Sequence, residues 1–241
     1  MSGHSKWNNI KHKKEKSDAA KAKIFTKIGK EMSVAIKAGG PDPTVNGKLR
    51  DLIAKAKANN VPNDNIQRTI KKFSENNDIV YEEISYEGYG PSGVAIIVET
   101  STDNRNRTAG NVRAWFNKYG GNMGQNGCVG FMFEEKGVIT ILDEDEEIDE
   151  DQLMEDALDC GAEDIKSDEG EYTIYTAPAD IDAVRDAVIA KGYKIDTADL
   201  AKVPTTYVAL ENQDDIDNME KMLDKFNEDD DVTAVYTNWD N

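Results

Sequence analysis

The first fourteen residues hold Lys6, Lys11, Lys13 and Lys14, two histidines at His4 and His12, Trp7 beside Asn8 and Asn9, and no acidic side chain. Cations neutralise phosphates, an indole stacks on bases, and amide side chains hydrogen-bond to base edges, so this stretch has the side chains that a nucleic-acid-binding arm uses. Its apolar content is too small to build a core, which predicts that it orders only on a partner. A second group, Arg105, Arg107 and Arg113 with Lys118, is the only basic cluster in an otherwise acidic body. Arg105 and Arg107 fall at the predicted start of a helix, where a cation opposes the helix dipole. Residues set against their local electrostatic preference are candidates for binding an anion; ion pairing with nearby carboxylates is the alternative. Lys23, Lys27, Arg50, Lys55, Lys57, Arg68, Lys71 and Lys72, spread over three predicted helices, complete the candidate nucleic-acid-binding set.

Other chemistries fail on spacing. Gly88, Gly90 and Gly93 spell G-x-G-x-x-G, but Pro91 and the β-branched run that follows make this a strand-to-strand connection, whereas a dinucleotide site needs a helix to open there. The glycines from Gly120 to Gly130 lack the Lys-Ser/Thr pair of a P-loop and read as turn chemistry. Two histidines, both in the arm, and Cys128 and Cys160, more than thirty positions apart, do not form a zinc spacing. The acidic run at residues 143 to 147 has Ile148 where a calcium loop needs its central glycine. With no histidine in the body there is no Ser-His or Cys-His nucleophile pair, so the chain is expected to be no enzyme and to need no cofactor or metal.

The charge is divided along the chain. The net charge of the 241 residues is −18. Residues 1 to 75 carry 17 Lys/Arg against 7 Asp/Glu, a balance of +10, and the rest carry 12 against 40, a balance of −28. Such asymmetry points to a polyanion-binding segment on a body that repels polyanions. Two cysteines exclude a disulfide scaffold and suggest a reducing compartment. No apolar run reaches the ~18 residues needed to span a bilayer, and the N-terminus lacks the apolar core of a signal peptide, so a cytoplasmic chain without membrane contact is expected.

The elements that must hold these residues follow from hydrophobic period. Ile24, Phe25, Ile28, Met32, Ala35 and Ile36 form one stripe of a helix over residues 16 to 38, ended by Gly39 and Gly40. Leu49, Leu52, Ile53 and Ala56 give a second, and Asn63 caps a third with Ile66, Ile70 and Phe73 inward. Beyond residue 78 strands are expected at 81–87, 94–100 and 129–133, with a helix capped by Asp103 and running to Tyr119. Residues 138 to 203 then read β-α-β-β-α-β, the ferredoxin-like unit. The closing strand 207–210, helix 216–226 and strand 232–239 cannot form a domain alone. The expected fold is therefore α+β: a basic helical domain at 1–78 with its disordered arm, a discontinuous α+β domain at 79–136 and 204–241, and a ferredoxin-like domain at 137–203 inserted into it.

Four stretches together resemble one family. They are Gly3-His4-Ser5-Lys6-Trp7 with Ile10-Lys11-His12-Lys13 and Lys23-Ile24-Phe25-Thr26-Lys27; Gly39-Gly40 with Asn46, Leu49-Arg50, Ala54-Lys55-Ala56 and Asn59-Asn60-Val61-Pro62; Tyr86-Glu87-Gly88-Tyr89-Gly90-Pro91; and residues 102 to 108, Thr-Asp-Asn-Arg-Asn-Arg-Thr, with Gly120-Gly121-Asn122. The chain is similar to the YebC/PmpR family, whose mitochondrial relatives activate translation of cytochrome c oxidase. Ser92 and Cys128 stand where the family pattern has Gly and Ser, and Ala201-Lys202 where Thr-Met is usual. The resemblance implies three domains, no catalysis and a nucleic-acid-linked role, as a DNA-binding transcriptional regulator or as a ribosome-associated factor that helps elongation through proline-rich sequence. A basic arm with one tryptophan and no evident helix-turn-helix spacing favours structured ribosomal RNA, with duplex DNA as the alternative. A protein adaptor using the acidic ferredoxin-like unit is a third reading. No small-molecule substrate is expected, and the chain reads as a monomer.

Overall fold

The structure, a computed structural model, describes residues 18–75, 80–143, 148–168 and 170–240. Three helices come first: α1 (Asp18–Gly39), α2 (Gly47–Ala58) and α3 (Asn63–Ser74). Their stripes meet in one core, in which Ile28, Met32, Ala35, Leu49, Ala56 and Ile66 are sealed from solvent and Ile24, Ile53, Val61, Ile70 and Phe73 lie at the margin. Phe25, expected on the inward face, is half-buried on the flank of the stripe and stands outside this cluster.

Buried Asn46 ties the first two helices together. Its side-chain oxygen accepts from the Leu49 amide at 3.1 Å, and its Nδ2 donates to the carbonyls of Ala35 and Gly40, both at 2.8 Å. This explains the glycine pair before it: a Cβ at Gly39 would meet the Asn46 side chain at 2.9 Å, and Gly40 has φ +83°, a left-handed conformation that side chains disfavour. Asn63 does not cap α3 as expected. Pro62, with φ preset at −59°, takes the cap position, and its carbonyl accepts from the Asn65 and Ile66 amides.

Strands β1 (Glu82–Tyr89) and β2 (Ala95–Thr102) form an antiparallel hairpin across the turn Pro91–Gly93. The G-x-G-x-x-G pattern is thus a strand-to-strand connection, with Ser92 at φ +50° in the position where a glycine would be unstrained. Helix α4 (Arg105–Lys118) is capped by Asn104, whose side chain accepts from the Arg107 amide, and not by Asp103. A short strand β3 (Asn122–Met123) pairs with β1. The expected strand at 129–133 is absent: Gly130–Met132 is a tight turn, and a ten-residue strand β4 (Phe133–Leu142) begins after it. The glycine-rich loop is held by Glu87, whose carboxylate accepts from the amides of Gly127, Val129 and Gly130 at 2.7–2.8 Å. A backbone nest that could take a phosphate is therefore already filled by the chain's own anion.

The smaller of two compact units, Met132–Tyr207, holds β4, α5 (Glu150–Asp159), β5 (Asp164–Asp168), β6 (Glu171–Thr176), α6 (Ile181–Ala190) and β7 (Thr197–Pro204). Its antiparallel strand order β5-β6-β4-β7 is the ferredoxin-like order. Ile139, Ile141, Leu153, Ala157 and Ile174 form its sealed centre. The other unit holds α1 through Phe131 together with Val208–Trp239. In it β8 (Val208–Ala209) is followed by α7 (Gln213–Glu228) and β9 (Val232–Thr237), which pairs with β2 to give the order β3-β1-β2-β9. The β2 strand is buried along nearly its whole length, as its β-branched run predicts, and Phe116 of α4 meets Phe226 of α7 at 5.2 Å. Among the described residues no helix is long and apolar enough to cross a membrane.

One buried charge stands out in the smaller unit. Glu171 is 3% exposed and one of its carboxylate oxygens has no partner. Burial first, then Asp168 and Asp196, push its carboxyl from 4.5 up to about 7. An acid with a raised value in the fold favours folding most when neutral. That contribution is whole below 4.5 and lost as pH rises through about 7. Glu171→Gln should therefore stabilise the chain at pH 8 by about 2–3 kcal/mol and leave it nearly unchanged at pH 4.5; urea unfolding at the two pH values measures the difference.

Candidate nucleic-acid interface

The arm residues His4, Lys6, Trp7, Asn8, Lys11, His12, Lys13 and Lys14 lie outside the described residues. The structure does place the others, and it sorts them by what they touch. Along α1 the lysines at 23, 27 and 30 recur at helical spacing and so share one face. Lys23 Nζ donates to the Glu228 carbonyl at 3.2 Å, Lys27 to the Asn227 carbonyl at 3.1 Å, and Lys30 to the Asp230 carbonyl at 2.8 Å. Asn227 and Glu228 end α7, where carbonyls lack helical partners and the dipole is negative, so cations are favoured there. Lys23 and Lys27 thus hold α7 in the fold.

Lys30 goes further and pairs with the carboxylate of Asp231 at 2.6 Å, where both side chains are shielded from solvent. The second Asp231 oxygen accepts from Arg107 Nη2 at 2.6 Å and from the Thr108 hydroxyl at 2.8 Å. Arg107 also binds Asp103 at 2.8 Å. For Arg107 the ion-pair alternative is therefore what is found: its pairing with Asp231 and Asp103 raises an already high pKa further. Burial pushes the Asp231 carboxyl up, but hydrogen bonds from Arg107, Lys30 and Thr108 outweigh it and hold the group down at about 2.

Arg105 and Arg113 behave differently. Both are exposed, two turns apart on α4, and among the described residues neither pairs with a carboxylate. Their charges are felt at the Tyr86 hydroxyl, which is buried without a hydrogen-bond partner; burial raises its pKa and the two guanidiniums oppose that rise. On the helical segment, Arg50 and Lys57 are exposed on α2 while Lys55 is half-buried. Arg68, Lys71 and Lys72 line the solvent face of α3. Lys71 reaches Glu75 only at 3.9 Å, and Lys72 lies 5.3 Å over the Phe73 ring. The candidate residues therefore form three groups: one on α1 and Arg107 that joins elements, one on α4, and one on α2 and α3.

The Asp231 centre with Lys30, Thr102 and Thr108 has no sequence signature beyond the lysine spacing on α1. Asp231 ends an acidic run, 228 to 231, that looks solvated. Among the described residues no cluster of His, Cys, Asp or Glu could hold a metal ion.

A helical N-terminal segment followed by antiparallel-sheet α+β units is also the architecture of a solved conserved hypothetical protein from Aquifex aeolicus. The two superpose with a TM-score of 0.83 at 39% identity, over 92% of this chain and 91% of that one. Family models described as the TACO1/YebC protein N-terminal domain and the TACO1/YebC second and third domain match residues 5–76 and 81–239. The chain belongs to the TACO1/YebC family, a non-enzymatic family and the one its motifs resemble. It is 56% identical, over the whole of both chains, to a protein of Agathobacter rectalis named probable transcriptional regulatory protein. A protein of Acetivibrio thermocellus with the same name is 53% identical over 99% of each chain.

The Asp231 centre yields a stability prediction. A carboxyl depressed in the fold stabilises fully above its ordinary 3.8, and that contribution is lost as pH falls toward about 2. Asp231→Ala leaves Lys30 shielded and unpaired and should cost about 3–5 kcal/mol at pH 7. Thermal unfolding at pH 7 and pH 2.5 should show the gap between variant and parent narrow sharply at the lower value.

Proposed function

We propose that this protein is a non-catalytic, cytoplasmic regulator of gene expression that binds duplex DNA and acts on transcription. The observation that carries this reading is the set of exposed cations on α2 and α3, Arg50, Lys57, Arg68, Lys71 and Lys72, on a chain whose net charge is −18. A largely acidic molecule approaches a polyanion only through its positive islands. The name carried by its relatives in Agathobacter rectalis and Acetivibrio thermocellus supports transcription as the level of action. Residues 1–78 are the binding domain in this reading. Residues 79–136 with 204–241 form the scaffold that steadies α1, and residues 137–203 form an acidic domain whose charge repels phosphates. Arg105 and Arg113 supply a second cationic island.

The basic arm with Trp7 favours a second reading, a ribosome-associated factor that grips folded RNA and helps elongation through proline-rich sequence. One comparison separates the two. The full chain should bind a selected duplex at least roughly a thousandfold more tightly than random duplex at physiological salt. Affinity should fall by about 0.9 log units per log salt for each phosphate neutralised. The chain should also stay off purified ribosomes in a sedimentation assay. Co-sedimentation with ribosomes, lost on Trp7→Ala, together with no duplex preference, would overturn the transcriptional reading in favour of the ribosomal one.

A further inference from the structure

We infer that α2, the turn after it and α3 form a helix-turn-helix unit, and that α3 is the helix that enters the major groove of duplex DNA. This rests on the duplex-binding reading above and names the element that does the reading. The sequence conceals the unit, because the segment between the helices, Asn59-Asn60-Val61-Pro62, looks like an ordinary polar link. In the structure these four residues make a fixed corner. The amides of Asn59 and Asn60 donate back to the carbonyls of Lys55 and Lys57, Asn60 takes a left-handed φ of +57°, and the Val61 amide donates to the Ala56 carbonyl. Val61 then turns inward onto the helical core, and Pro62 starts α3 at once. A three- or four-residue turn with a left-handed residue, followed by an inward apolar side chain, is how this motif sets the angle between its helices.

The faces agree with the roles. Toward the protein α3 offers Ile66, sealed, with Ile70 and Phe73 beside it, all against the core that α1 supplies. Toward solvent it offers Asp64, Gln67, Arg68, Lys71 and Lys72, all exposed. Among the described residues neither Arg68 nor Lys72 pairs with a carboxylate, although carboxylates outnumber cations in the chain. In the middle of the helix, Gln67 and Arg68, its fifth and sixth residues, are the side chains whose bidentate geometry matches adenine and guanine edges. One turn later Lys71 and Lys72 are point charges suited to phosphates. Base-reading groups followed one turn later by cations suit a helix that meets a groove and then its backbone. The occupant follows from charge and shape together: a narrow amide-guanidinium stripe on a rigid helix suits a groove of stacked base edges.

The test uses the full chain, a randomised duplex library and sequencing of the selected DNA. Binding is then measured to the selected duplex and to a scrambled one. Gln67→Ala with Arg68→Ala should lose roughly tenfold to a hundredfold of the preference for the selected over the scrambled duplex, and should hold scrambled DNA within about twofold of the parent. Lys71→Ala with Lys72→Ala should weaken both duplexes alike and lower the salt slope by about two. Circular dichroism and unfolding temperature, expected to match the parent because all four positions are exposed, establish that the variants are folded. If the parent selects a duplex and Gln67→Ala with Arg68→Ala selects it equally well, the assignment of α3 is wrong while the duplex reading stands. If the parent selects no duplex, or prefers folded RNA, both fall.

Discussion

The carboxylate of Asp231 is the point on which the larger unit turns. It takes Lys30 from α1, Arg107 and Thr108 from α4, and Thr102 from the end of β2, while its own position just before β9 ties it to the sheet. Elements from three separated stretches of the chain, α1, β2 with α4, and β9, meet on one group. A carboxylate this shielded is tolerated only because both of its oxygens accept, from four donors of which two are cationic. The arrangement also settles why Arg107 occurs near a helix start without penalty. Arg107 opposes the α4 dipole, and the anion beside it more than offsets that.

Beside this centre, the end of α7 does quieter work. Lys23 and Lys27 meet carbonyls that a helix end leaves without partners, so the same contacts that hold α1 in place also cap α7. Neutral backbone acceptors require no second acidic side chain, and the α1 row therefore adds cations to an acidic body without adding carboxylates. A comparable economy holds in the glycine-rich loop. There Glu87 supplies the anion for a nest of three amides, which fixes a loop that glycine would otherwise leave mobile and removes a place where a foreign phosphate could bind.

How much of this could be read beforehand follows from range. Helix existence, the ferredoxin-like order and the buried character of β2 are local or periodic features, and hydrophobic spacing records them directly. The corner at Asn60, the Pro62 start of α3 and the Asn104 cap depend on which of two adjacent polar residues takes a special backbone conformation, and spacing does not distinguish them. Asn46 was visible only as part of a motif; its buried bonds to Ala35 and Gly40 needed two helices in place. The strand expected at 129–133 is absent: a short apolar run cannot be told in sequence from a tight turn that follows a buried residue, Val129, and leaves Phe131 outside. Among the binding candidates the types were right for anions, but sequence cannot say which cations meet a carbonyl or carboxylate across some 200 positions.

A cation already bonded at short range to Asp231 or to the end of α7 would have to give up those bonds to meet a phosphate, and the fold would lose stability as the complex gained it. Arg68 and Lys72, with Arg105 and Arg113, face no such exchange. Their charge is available at little cost in fold stability, and it is set on helices that the buried cores of the larger unit keep in a fixed register. Selectivity for a shaped polyanion needs that combination, because cations on a rigid helix meet phosphates or base edges only where the spacing of the ligand matches theirs. In the proposed reading the acidic remainder acts in the same direction, because its negative charge disfavours polyanion contact other than through these helices.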